Sequence, residues 1–112
     1  MIKVEFFVDA GDNIRGFSIK GHAEYAEYGR DIVCAAVSAV SQTAVIGLQK
    51  LLGKKPEVFQ EKGKLVCMLP KDLDGEERKI GEVVFKTMYY GLEAIKNEYE
   101  GYLSLIWRRC ES

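Results

Sequence analysis

The sequence predicts one α+β domain in two layers, with two helices packed on a mixed β-sheet in the order β-β-α-β-β-α-β. Three observations lead to this fold class: an alternating apolar pattern near the N-terminus, two long segments with helical periodicity, and β-type segments between and after those helices. The chain has 112 residues, a usual length for one domain, and no linker or repeat divides it. Residues 1–112 are therefore expected to form a single domain.

The first two strands are predicted to form a hairpin. The segment 14–20 alternates in the same way as the first strand, and the turn-forming residues Gly11, Asp12 and Asn13 lie between the two. The alternation predicts a sheet with one buried face. In the first strand the apolar positions are Ile2, Val4, Phe6 and Val8.

The first helix is predicted to begin after Asp31, because aspartate is a favoured N-cap residue. Gly53 at the expected C′ position and Pro56 beyond it would end the helix. The longest apolar stretch, residues 32–40, is interrupted by Ser38 and is shorter than a membrane span, so no membrane partner is expected. The apolar positions recur three and four residues apart, at Val33, Val37, Val40, Ala44, Leu48 and Leu51.

The second helix is predicted over residues 74–99. Gly91 lies inside it, at a cost of about 1 kcal/mol relative to alanine, which indicates a close crossing with another element. One side of this helix carries Ile80, Val84, Met88, Gly91 and Ile95.

The later strands are apolar on both faces. Residues 57–69 are predicted to form a second hairpin, and residues 102–110 a last strand. Both faces of the second hairpin are expected to be buried. Surface that two helices would leave uncovered indicates a homodimer, and ordinary exposure of sheet edges is the alternative.

Composition sets limits on the partners and the compartment. Sixteen basic and seventeen acidic residues give a net charge of −1, so no direct nucleic-acid partner is predicted. The N-terminal segment lacks the pattern of a signal peptide, and a cytoplasmic protein is expected. Three widely spaced cysteines, Cys34, Cys67 and Cys110, are expected to remain thiols there.

A candidate reactive site is formed by the single histidine, His22, and by Cys34 at the head of the first helix. With Asp31 as the N-cap, Cys34 occupies the first helical turn, where free N–H groups and the positive end of the helix dipole favour a thiolate. His22 would then act as general base and acid, the first-turn amides would bind an oxyanion, and Asp31 is a candidate to orient the imidazole. A plain capping role for Asp31 is equally open.

The spacing of His22 and Cys34 alone favours a structural reading, because free cysteine is often buried and such pairs have no family-independent signature. Cys67 and Cys110 are expected to be a core thiol and a terminal thiol. No zinc-type spacing and no phosphate-binding glycine motif occurs. Neither a metal nor a cofactor is therefore predicted.

A longer motif distinguishes the two readings. The string GHAxxxxxGxDIVCAAVSA, which runs from Gly21 to Ala39, resembles the signature of the ribosomal-processing cysteine proteases, the Prp family. The order of elements and the chain length are also similar to that family along essentially the whole sequence. The resemblance implies that His22 is the catalytic histidine and Cys34 the nucleophile, with Asp31 and Ser38 at motif positions of less defined role.

The implied activity is that of a small cytoplasmic endopeptidase, usually a homodimer. It would remove the N-terminal extension of large-subunit ribosomal protein twenty-seven, with an aromatic residue just before the cut. Gly21 and Gly29 bracket the loop between the two catalytic residues and could serve as hinges, or only supply backbone freedom. Ser38, one turn beyond Cys34, could contact the substrate or simply permit close packing. The alternative function is a non-enzymatic ribosome-assembly module that binds a ribosomal protein.

Overall fold

The computed structural model describes residues 1–27 and 31–110 and confirms the predicted fold class and element order. Its elements are β1 (Ile2–Val8), β2 (Ile14–Lys20), α1 (Ile32–Leu51), β3 (Glu57–Glu61), β4 (Lys64–Met68), α2 (Gly75–Glu98) and β5 (Leu103–Arg109).

The five strands form one mixed sheet in the order β3-β4-β2-β1-β5. β1 pairs with β5 in parallel, and every other neighbouring pair is antiparallel. β1 therefore has partners on both sides, and of its alternating apolar residues Ile2, Val4 and Phe6 are buried, as the sequence predicts, whereas Val8 is half-buried. β3 and β5 form the two edges of this sheet.

One hydrophobic core joins the sheet to both helices. Phe17 of β2 lies at its centre, with ring centroids 6.2 Å from Phe6 of β1 and 5.9 Å from Phe85 of α2. All three rings are fully buried, and truncating a buried phenylalanine to alanine typically costs about 3–5 kcal/mol. The core thus fixes the sheet that carries the site.

Two adjacent apolar stripes on α2 face different neighbours. The stripe predicted from the sequence is half-buried except at Met88, and its Gly91 faces Val40 of α1, where an added Cβ would lie 3.4 Å from the valine Cγ1. The close crossing expected at Gly91 is therefore present. The more deeply buried stripe, which the sequence analysis missed, packs toward the sheet and comprises Gly81, Phe85, Met88 and Leu92.

The expectation that both faces of the second hairpin are buried is wrong. Every residue of β3 is exposed, and β4 buries only alternate positions, at Leu65 and Cys67. The physical reason is that β3 is an edge strand and that both helices pack into one core cluster with the sheet, to which β3 contributes no residue.

Helix α1 is more apolar than the short stretch 32–40 indicates. By length and composition alone, Ile32–Leu51 could cross a membrane, with a mean hydropathy of 1.6 over an 18-residue window. One third of that window, 33%, is buried inside the protein. Core packing accounts for only part of this composition, because Ile32, Ile46 and Leu51 are exposed. The residues that are buried are Val33, Val37, Ser41, Ala44, Val45 and Leu48.

Candidate active site

Cys34 lies in the first turn of α1 and is half-buried. Asp31 caps this turn in an extended conformation, as the sequence predicts, and its Oδ1 accepts the backbone N–H groups of Val33 and Cys34, both at 3.0 Å. A capped helix start fixes the direction of the first side chains, because the N–H groups of that turn otherwise lack partners. The cap therefore sets the position of the sulfur.

The same carboxylate also holds the loop that follows His22. Its Oδ2 accepts the N–H of Tyr25 at 2.9 Å and that of Ala26 at 3.4 Å. Burial of Asp31 opposes its ionisation, but hydrogen bonds from the N–H groups of Cys34, Tyr25 and Ala26, and from the Cys34 side chain, hold the pKa of this carboxyl below its usual range. Asp31 thus joins the loop to the helix start.

Three of the amides at the helix start, where oxyanion donors were expected, are already occupied. The Val33 and Cys34 N–H groups donate to Asp31 Oδ1, and the Ala35 N–H donates to the Asp31 carbonyl oxygen as the first helical bond. The sequence predicts Asp31 as a cap and the first-turn amides as oxyanion donors, but the cap uses the Val33 and Cys34 amides itself. These three amides are therefore not available to an oxyanion in this conformation.

A different backbone group contacts the sulfur. The N–H of Ala23, the residue after His22, donates to Cys34 Sγ at 3.2 Å. The loop backbone therefore touches the sulfur directly. Sequence reasoning missed this contact: Ala23 is a position of the motif, but its buried methyl group does not indicate that its backbone N–H reaches the sulfur.

His22 follows the end of β2 and is exposed on one side. On the other side its imidazole lies against Gly63, which is in the turn between β3 and β4. The preceding residue, Gly21, donates its N–H to the Gly63 carbonyl oxygen at 2.9 Å. The histidine is therefore held against the second hairpin, which the sequence analysis did not connect with the site.

Two cavities meet at this pair. One, of about 180 Å³, extends between α1 and the β3–β4 hairpin, and four of its lining side chains are apolar. The other, of about 650 Å³, lies beside the loop, with Glu24 and Asp31 in its wall. The residues that line both cavities are His22, Cys34 and Ser38. A peptide that crossed from one cavity to the other would pass both catalytic candidates.

The remaining predicted residues differ in their placement. Ser38 is exposed toward the two cavities. Gly21 has a left-handed backbone, with φ of +95°, and an added Cβ would lie 2.6 Å from the Met1 carbonyl oxygen, so conformation and space both require glycine there. Gly29 lies outside the described residues.

The other two cysteines lie away from the site. Cys67 is fully buried in the core, where burial raises the pKa of its thiol to about 12. Cys110 is half-buried after β5, with its N–H on the Val8 carbonyl oxygen. Within residues 1–27 and 31–110, no group of three or more His, Cys, Asp or Glu side chains is placed to hold a metal ion.

Several known proteins with similar sequences and structures are ribosomal processing proteases. Residues 1–104 match the family described as cysteine protease Prp. The chain is 35% identical, over 89 residues, to the ribosomal processing cysteine protease Prp of Bacillus subtilis, and the match covers 78% of this chain and 80% of that protein.

Two crystal structures of the essential ribosomal processing protease Prp from S. aureus share the fold. The structure with a covalently linked product peptide has a TM-score of 0.85 at 27% identity, and the structure with a substrate peptide has a TM-score of 0.80 at 25% identity. Each match covers 96% of this chain and 100% of the other. On the family match along residues 1–104, this chain belongs to the Prp family of cysteine proteases.

Proposed function

We propose that this protease is an endopeptidase that removes the N-terminal extension of large-subunit ribosomal protein twenty-seven, with Cys34 as nucleophile and His22 as general base and acid. The observation that carries this proposal is the position of both side chains where two cavities meet. A substrate chain laid across both cavities would present its scissile bond to the sulfur.

The chemistry uses one covalent intermediate. His22 takes the proton of the Cys34 thiol, and the sulfur attacks the carbonyl carbon of the scissile peptide bond. As the C–N bond breaks, His22 returns the proton to the leaving amine and a thioester remains. Water then attacks the thioester, His22 takes its proton, and the released thiolate is reprotonated. Overall, one peptide bond and one water molecule are converted to a carboxyl group and an amine.

Local structure supports this assignment of roles. The sulfur is half-exposed at a helix start and receives the Ala23 N–H at 3.2 Å, whereas the other buried thiol, Cys67, is enclosed in the core. A reactive cysteine requires access and a polar environment that favours the thiolate. Among the cysteines, Cys34 is the one beside the single histidine of the chain.

The substrate assignment is supported by the named relatives and by the smaller cavity. The relatives are ribosomal processing proteases, and one crystal structure holds a covalently linked product peptide. An apolar side chain before the scissile bond would fit against the apolar part of the smaller cavity, which agrees with the aromatic residue that the family resemblance implies. That part is formed by Ile2, Ile19, Val37 and Leu65.

A homodimer in the cytoplasm completes the proposal. The substrate is a ribosomal protein, which is made in that compartment. Exposed apolar side chains on the sheet and helices offer surface for a second copy, among them Phe59, Val83, Tyr90, Ile106 and Trp107. The family match favours this enzyme over the alternative of a non-enzymatic ribosome-assembly module.

The test is a cleavage assay with the extended ribosomal protein, read by mass spectrometry of the products. We expect one cut at the extension by the wild type, and a loss of at least about a thousandfold in Cys34→Ala and in His22→Ala. Cys110→Ala is the matched control, because it removes a half-buried thiol outside the site and should retain full activity.

Two results would overturn the assignment. Cleavage that persists in Cys34→Ala would exclude that residue as nucleophile. An active enzyme that leaves the extended protein intact but cuts an unrelated peptide would retain the mechanism and reject the substrate.

A further inference from the structure

The turn between β3 and β4 lies directly against the His22 side chain. Lys62 and Gly63 form this two-residue turn between Glu61 and Lys64, and Gly63 has a left-handed backbone with φ of +77°. Glycine is the residue type that adopts this conformation without a steric cost. The turn conformation alone would explain the glycine, but its contacts add a second reason.

The first contact fixes the backbone that leads into His22. The Gly21 N–H donates to the Gly63 carbonyl oxygen at 2.9 Å, in line with the pairing of Lys20 and Lys64 in the sheet. On its other side Gly21 lies against the Met1 carbonyl oxygen. The residue before His22 is therefore held between the hairpin turn and the start of β1.

The second contact is with the imidazole itself. A Cβ added to Gly63 would lie 3.1 Å from His22 Nε2, 3.6 Å from Cε1 and 3.9 Å from Cδ2. The ring thus packs on the Cα of Gly63, and its Nε2 edge is closest. A methyl group at residue 63 would move the imidazole by a few tenths of an ångström, since the ring has free space on its exposed side.

We propose that Gly63 is a positioning residue for catalysis: the bare Cα of the β3–β4 turn sets the orientation of the His22 imidazole toward Cys34. This inference rests on the proposed function, because it requires His22 to be the general base. Gly63 acts through the histidine and touches neither the sulfur nor the scissile bond in this scheme.

Orientation matters here because the His22 side chain is exposed. A rotamer change would therefore carry the imidazole away from Gly63 and from the cavity wall that it shares with Cys34. Displacing a reacting group by about 1 Å can cost on the order of a hundredfold in rate. A shift of a few tenths of an ångström should therefore cost roughly tenfold.

The test compares Gly63→Ala with Gly101→Ala. Gly101 also has a left-handed backbone, with φ of +90°, but none of the described atoms lies within 4 Å of a Cβ added there. Both variants thus introduce the same kind of backbone strain, and only the first reaches the histidine. We expect kcat on the extended ribosomal protein to fall about tenfold in Gly63→Ala with KM within about twofold, and to be unchanged in Gly101→Ala.

Nuclear magnetic resonance gives a readout that a loss of stability alone would not move. The chain has one histidine, so its imidazole signals belong to His22. We expect the Cε1–H signal to shift in Gly63→Ala and to stay in place in Gly101→Ala, while both proteins remain folded in thermal melts. Gly63→Asn keeps the left-handed backbone at lower cost but adds a Cβ, and should lose the same activity as Gly63→Ala.

The outcomes separate this inference from the proposed function. If His22→Ala is inactive but Gly63→Ala and Gly63→Asn retain wild-type kcat and the wild-type imidazole signal, the positioning role is wrong and the mechanism stands. If His22→Ala retains activity, the mechanism fails first. Equal losses of kcat in Gly63→Ala and Gly101→Ala would assign the effect to backbone strain.

Discussion

The sulfur of Cys34 is positioned by residues close to it in the chain, whereas the imidazole of His22 is positioned by a distant hairpin. On the cysteine side, the Asp31 side chain caps the helix three residues ahead of the sulfur. On the histidine side, the turn at Gly63 holds both the ring and the preceding backbone. The first arrangement forms with the helix, and the second only when β4 pairs with β2.

This difference indicates how the two halves of the site respond to change. A local cap survives shifts elsewhere in the fold, whereas a contact between two hairpins depends on sheet register, and a slip of one residue reverses every side chain. The loop from Ala23 to Ala26 joins the halves, because the Ala23 N–H reaches the sulfur and Asp31 Oδ2 holds Tyr25 and Ala26. Both anchors therefore bear on how His22 and Cys34 are placed relative to each other.

The largest expected effect is in thiol reactivity. Iodoacetamide at pH 8 should alkylate Cys34 at least about a thousandfold faster than Cys67, because a pKa of about 12 leaves on the order of 10⁻⁴ of the Cys67 thiol ionised. The rate at Cys34 should also fall in His22→Ala, because that variant lacks the imidazole proposed to take the proton of the thiol. Peptide mapping by mass spectrometry measures each site.

Urea provides the control for this labelling, because unfolded protein should label all three cysteines at similar rates. Native Cys67 reacting within tenfold of Cys34 would contradict the buried core described for β4. A Cys34 rate that is identical in the wild type and His22→Ala would show that the two side chains do not interact.

The difference between contacts close in the chain and contacts between distant segments also explains which features the sequence predicts. Helix α1 and its Asp31 cap follow from residues within one turn of each other, and the predicted α2 bounds differ from the structure only at the capping residues. The His22 and Cys34 pair became a strong candidate only through the longer motif. The Gly63 contact had no signal, because a turn glycine does not reveal what lies against it.

The wrong expectation about the second hairpin has a related cause. The expectation came from the second strand of the hairpin, which has Val66 and Met68 on one face and Leu65, Cys67 and Leu69 on the other, a pattern that resembles a strand buried on both sides. Whether a strand is central or at an edge depends on sheet order, which is set by contacts between distant segments. Alternation therefore predicted the strand but not its exposure.

The next largest effect is expected from Asp31→Ala. Loss of an N-cap side chain costs about 0.5–2 kcal/mol of stability, and here it also releases Tyr25 and Ala26 from the carboxylate. We expect kcat/KM for cleavage of the extended ribosomal protein to fall roughly tenfold or more, because the loop that carries Ala23 loses its anchor. Enzyme assays together with urea unfolding would measure both losses.

The matched control for that variant is Asp74→Ala, which removes the N-cap of the other helix. Asp74 Oδ1 accepts the Glu77 N–H at 2.8 Å and lines neither cavity at the site. It should lose comparable stability and keep its activity. Equal activity in the two variants would show that Asp31 serves only as a cap.

The smallest effect concerns stability at acidic pH and isolates the charge of Asp31. Its pKa in the folded protein lies below the ordinary value of 3.8, so the carboxylate stabilises the fold above that value and loses this contribution as the pH falls through the folded-state pKa. Urea midpoints of the wild type and Asp31→Asn should therefore differ by a constant amount from pH 7 to about pH 5 and converge below about pH 4. The pKa of Asp9 is also lowered, but its contribution to stability is the same in both proteins and cancels in this difference. If the difference instead stays constant down to pH 2, the loss of stability in Asp31→Asn does not come from the missing charge. The four backbone N–H groups that contact Asp31 would then depend only on the shape of the side chain at residue 31.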